Sequence, residues 1–264
     1  PASVTGESLY LSLPLMTILS KDELASIICH ELGHFLGKDH YYTSKLIPAY
    51  TRLENLINTI DNTEHTAGDT LLDVFDYAYF LSRPTSYTLH AVLDIFISNV
   101  SKISRIRENE ADKIAISIYP PEVFGMALTK FTAYSFLYNE IHQENINRLE
   151  TKCRSIHNFS KIFSNYCLFS LSYQEVTDIV HDSLLMEIAH PFDSHPPLSE
   201  RLKNIGYGPI YITAEKLKEQ GGSSFELIEN HIKIEENLTR LYYQIMQSSG
   251  EAIVADDINY DEVE

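Results

Sequence analysis

Residues 30 to 34 read His-Glu-Leu-Gly-His, and no other stretch of the chain restricts its fold so tightly. On a helix, His30 and His34 stand one turn apart and project from the same face, the spacing two imidazoles need to grip one Zn²⁺. Glu31 lies beside them, where a carboxylate can take a proton from a metal-activated water. The motif demands a helix at this point and a third protein donor from elsewhere, because a catalytic zinc keeps one position open.

The flanking residues supply the helix. Ser20-Lys21-Asp22-Glu23 reads as a capping box, with Ser20 as N-cap and Glu23 at the third helical position. Leu24, Ile27, Ile28, Glu31 and Phe35 follow at helical spacing, and Gly37 is a natural stop. Apolar neighbours of this kind bury a site, and a dry setting strengthens its electrostatics.

Two candidates offer the third donor. His40 completes the run His30 to His40, which fits the pattern H-E-x-x-H-x-x-G-x-x-H, with Gly37 turning the chain back. The other is Glu108, in the stretch Ser104 to Asp112 (SRIRENEAD). Glu108 and Asp112 are one turn apart on a second expected helix. Glu108 can then reach the zinc while Asp112 accepts the outer N–H of a ligand histidine.

Ser104 to Asp112 resembles the S-R-x-x-E-x-x-A-D signature of the HtpX-like and CAAX-prenyl-protease zinc metallopeptidases, a gluzincin group. Pro1 to Leu13 resembles the strand that precedes the metal helix in that family, and Ser194 to Leu202 (SHPPLSERL) its H-P-P-x-x-x-R segment. With the histidine motif these blocks stand in the family's order, across residues 1 to about 206. The resemblance implies one Zn²⁺ per chain on His30, His34 and Glu108, with Asp112 behind a ligand and Glu31 as general base. It also implies that His195 stabilises the oxyanion and that Arg201 supports the site or the substrate carbonyls. His190, also followed by Pro, is the alternative donor. No methionine turn follows soon after His40, so the resemblance favours Glu108 over His40.

The implied activity is a zinc endopeptidase acting on protein or peptide substrates. The alternative is a catalytically inactive zinc-binding interaction domain, against which Glu31 speaks. A formal net charge of −17 argues against a nucleic-acid surface and disfavours adhesion to anionic lipid through basic residues. Cys29, Cys153 and Cys167 form no metal spacing, and free thiols fit the cytoplasm or the cytoplasmic face of a membrane. Members of the family often carry membrane spans before the residue matching Pro1. An anchoring segment preceding this one in the full protein is therefore expected. Within the chain, Pro84 to Val100 contains His90 and Asp94 and is short, which suits a packed helix rather than a span.

The expected fold is α+β and mainly α-helical, a zincin-like domain with a small edge-strand sheet. Leu9, Leu11 and Leu13 alternate with Tyr10 and Ser12 as one amphipathic strand. Helical patterns follow at about 45–60, 67–82, 86–117, 122–140, 140–165 and 173–188, then from Leu198 to Ile205. Pro120-Pro121 ends the Glu108 helix. Residues 1–208 form the metallopeptidase domain, and 209–264 a helical extension. The extension reads as a strand-like Ile210 to Ile212, a helix from Phe225 to Gln247, and an acidic, disordered tail from Glu251.

Overall fold

The computed structural model describes residues 2–5, 8–36, 39–66, 75–152, 154–185, 196–208, 211–219, 222–249 and 259–261. The fold is mainly helical. Strands β1 (Ala2–Thr5) and β2 (Ser8–Leu11) pair antiparallel, with Ala2 opposite Leu11 and Thr5 opposite Ser8. Leu13, expected in this strand, instead opens helix α1 (Leu13–Ile18). Pro14 explains the difference, because its fixed φ suits the first turn of a helix and it has no N–H to give a sheet.

Helix α2 (Lys21–Leu36) carries the histidine motif and begins as the capping box requires. Glu23 N–H donates to Ser20 Oγ at 3.2 Å, and Ser20 N–H donates to Glu23 Oε2 at 2.7 Å. Lys130 adds a buried link, donating from Nζ to Glu23 Oε2 at 2.9 Å and to the Ile18 carbonyl at 3.2 Å. The start of the metal helix is thereby tied to α5 (Pro121–Lys152).

Helix α3 spans Asp39–Thr66 and α4 spans Phe75–Ile118, with Pro48 and Pro84 inside them. The break expected between residues 82 and 86 is absent. Proline costs a helix one hydrogen bond but holds φ near the helical value, so it can bend the rod without ending it. Pro120-Pro121 does separate two helices, since α4 stops at Ile118 and Pro121 opens α5. That helix runs unbroken through residue 140, and only then come β3 (Arg154–Ile156) and α6 (Phe159–Asn165). Among the described residues no helix is long and apolar enough to cross a membrane.

A π-helical turn (Tyr166–Ser170) extends α6, followed by α7 (Tyr173–Leu185), α8 (Leu198–Asn204) and α9 (Ala214–Lys218). A 3-10 turn (Ser224–Leu227) leads to α10 (His231–Ser249). Tyr211 lies in a 3-10 turn and Ile212 in coil, so neither is in the strand expected there. Within the acidic tail, Asn259–Asp261 form β4, pairing in parallel with β3. Three residues expected to be disordered thus have their backbone groups engaged in a ladder.

The chain divides into two compact units, and the division falls inside α2 and α4. One unit comprises Pro1–Gly33, Ala111–Glu187 and Pro197–Glu264; the other comprises His34–Glu110 and Ile188–Pro196. The first holds the main core, in which α1, the first turns of α2, α5, α6 and α7 bury Met16, Leu24, Ile27, Tyr134, Phe163 and Val176. Ala214, Leu217 and Phe225 join this core, so the region after residue 208 packs with the metal helix's own support. Ser224 fastens it, with N–H to the Leu19 carbonyl at 2.8 Å and Oγ–H to the Met16 carbonyl at 2.9 Å.

Candidate metal centre

Gly33 and Ala111 set the approach of α2 to α4. A Cβ placed on Gly33 would lie 3.1 Å from Ala111 Cα and 3.3 Å from Ala111 Cβ. Glycine facing alanine lets the backbones come this close without either helix giving way. One turn of α2 carries His30 and His34, and one turn of α4 carries Glu108 and Asp112. The close approach therefore falls between the two residues of each pair.

His30 is 3 % exposed and its environment is built for one orientation. Its Nδ1 stands 2.9 Å from Asp112 Oδ1. Arg201, on α8, donates to the same carboxylate through Nη2 to Oδ1 at 2.5 Å and through Nε to Oδ2 at 3.0 Å. Burial alone would raise the Asp112 carboxyl, but the hydrogen bonds from His30 and Arg201 and the charge of Arg201 outweigh it. The group is held below the usual carboxylate range and stays ionised. An ionised Asp112 can only accept, so His30 Nδ1 carries the proton and Nε2 keeps its lone pair for a metal. Arg201 Nη2 lies 3.5 Å from both ring nitrogens of His30, equidistant and so on neither lone-pair axis. That is a contact across the ring rather than a hydrogen bond to it.

His34 is half-buried and Glu108 is 4 % exposed, with His34 Nε2 at 3.3 Å from Glu108 Oε1. His30, His34 and Glu108 each offer one ligand atom, and these atoms all lie within 4.8 Å of one another. Two imidazoles and a carboxylate at that spacing match the donor set of a hydrolytic zinc site, with the outer nitrogen of one ligand tied to a buried carboxylate. Glu31 follows His30 on α2 and is half-buried.

Arg201 is 7 % exposed and paired with Asp112. His195 and His190 lie outside the described residues. His40 is in the first turn of α3, and its side chain is likewise outside what is described.

Sequence reasoning missed what four residues contribute. Phe124 stacks on the His30 ring at 5.7 Å between centroids, and no spacing rule links two residues so far apart. Lys130 steadies the start of α2 from a position that reads as an ordinary helix lysine. Gly33 and Ala111 were visible as members of their motifs, yet only the helix crossing shows why they must be small.

Residues 3–207 match the family model described as Peptidase family M48. A curated relative, Protease HtpX homolog 1 of Sulfurisphaera tokodaii, is 28 % identical over 138 residues. That alignment covers 50 % of this chain and 43 % of the relative, so the chain spans less than half the length of the protein it matches. No solved structure matches the chain significantly.

Proposed function

The chain belongs to peptidase family M48, and on that premise we propose that it is a zinc-dependent endopeptidase hydrolysing peptide bonds in protein or peptide substrates. One observation carries the reading: the donor atoms of His30, His34 and Glu108 converge within 4.8 Å of one another. Asp112 and Arg201 support it by fixing His30 in the tautomer a metal needs. A zinc ion held by such a set supplies Lewis acidity, lowering the pKa of water to about 7 and polarising a carbonyl.

The chain's own residues do the rest. Glu31 accepts a proton from the attacking water and returns it to the leaving amine. Asp112 keeps the Nδ1 proton on His30, and Arg201 keeps Asp112 ionised. His195 donates to the developing oxyanion, a contribution of about 3–4 kcal/mol per donor; this assignment rests on the Ser194 to Leu202 resemblance.

Zinc content and cleavage of a denatured casein test the proposal together. The native chain binds one zinc and cleaves. Glu31→Gln keeps the zinc and the fold while activity falls at least about a hundredfold. A zinc-replete chain without proteolysis would instead establish the inactive interaction domain, and substantial turnover by Glu31→Gln would remove Glu31 as base.

A further inference from the structure

The hydrogen bond from His30 Nδ1 to Asp112 acts on one edge of the imidazole. A ring held at one edge still pivots about its terminal torsion, which is broad and roughly two-fold for histidine. A metal ligand must present Nε2 in one direction, so contacts on the ring beyond that edge matter as well. Arg201 Nη2, 3.5 Å from both ring nitrogens, gives one, and Phe124 gives another. Its ring is fully buried and lies 5.7 Å from the His30 centroid, with 29° between the planes.

Phe124 is itself held with unusual firmness. It belongs to a small core with Ala115, Leu128, Leu198, Leu202, Ile205 and Tyr207. At the next residue, Gly125, an added Cβ would fall 2.3 Å from Tyr207 Cδ1, so the tyrosine ring rests directly on the α5 backbone. Tyr207 follows α8, the helix that carries Arg201. One apolar cluster thus sets both the ring beside His30 and the guanidinium behind Asp112.

We infer that Phe124 is a positioning residue for His30, holding the plane of the imidazole so that Nε2 meets the metal in a fixed direction. The inference deepens the zinc reading and rests on His30 being a ligand. It differs from a plain core role in one respect: Phe124 governs the geometry at the metal, not merely the stability of the cluster.

The experiment compares the native chain, Phe124→Leu and Ile205→Val, a control in the same cluster. Each is loaded with Co²⁺ for its d–d absorption and, separately, titrated with zinc against a competing chelator. Urea unfolding of each zinc-free chain reports stability. Phe124→Leu keeps a large apolar side chain, somewhat smaller than the native one, but loses the flat face. It is expected to weaken zinc about tenfold, the scale of a lost ligand support, and to change the Co²⁺ spectrum. Ile205→Val should lose some stability while leaving zinc affinity and spectrum at native values. Native affinity and spectrum in Phe124→Leu, or the same spectral change in Ile205→Val, would overturn the inference. Should Phe124→Leu not fold, Phe124→Met is read by the same outcomes. A native chain that takes up no Co²⁺ or zinc would overturn the zinc reading itself, a result distinct from failure at Phe124.

Discussion

Replacing Gly33 by alanine sets two opposed effects against each other at one atom. Alanine in a helix interior gains about 1 kcal/mol over glycine. Against this, the new methyl would sit 3.1 Å from Ala111 Cα and 3.3 Å from both Ala111 Cβ and Ile114 Cδ1. Ile114 can turn aside, but Ala111 Cα is helix backbone and yields only if the two helices part by a few tenths of an ångström. Forcing a methyl group into such packing costs about 1–3 kcal/mol. The net expectation is a zinc-free chain destabilised by about 0–2 kcal/mol, which is modest. The larger effect falls on the metal. Ligand distances in such sites hold to about 0.2 Å, and an opened crossing moves Asp112 relative to His30 by a comparable amount. Zinc affinity should fall about tenfold or more. Urea unfolding of the zinc-free protein and chelator competition measure the two effects separately. A Gly33→Ala chain about 1 kcal/mol more stable than the native one, with unchanged zinc affinity, would refute the claim that this contact sets the site.

Asp112→Ala should weaken zinc by about 10–100-fold with Glu31 still in place, because His30 loses the partner that fixes its tautomer; chelator competition reads this. Arg201→Met should destabilise the fold by about 3–5 kcal/mol, since it leaves the Asp112 carboxylate buried and short of its guanidinium; denaturant unfolding at neutral pH checks it. Burial pushes the Cys167 thiol up to about 12 from its ordinary 9.0. A raised folded pKa means its contribution is complete below about pH 9 and lost as pH climbs towards 12, so unfolding midpoints should fall across that window and peptide mapping should find Cys167 unalkylated at pH 8 until the chain is unfolded.

The metal helix was legible because its signals are local. A capping box, a helical apolar stripe and two histidines one turn apart all lie within seventeen residues of Ser20, and the structure forms each as expected. Glu108 and Asp112 were legible for the same reason, as one turn of a second helix. What failed were two boundaries near prolines. The helical pattern was read as broken between residues 82 and 86, yet Pro84, whose ring fixes φ near the helical value, lies inside a continuing rod. Leu13 was the other error, a helix start read as the end of a strand because the Leu9, Leu11, Leu13 alternation looked stronger than the Pro14 beside it. Phe124 and Lys130 could not be read at all, since their partners are set by tertiary packing rather than by spacing.

The clasp of Ser224 on the Met16 carbonyl joins residues 208 apart in sequence. Asp112 likewise waits for Arg201, 89 residues further on. A ribosome adds residues in order at about 5–20 per second, so the histidine helix emerges long before the groups that brace it. Such distant pairings close slowly, after the loops between them have been ordered. A tight site therefore matures only after Arg201 and Ser224 have been made, and the nascent motif, with both histidines present, is a poor competitor for the ion until then.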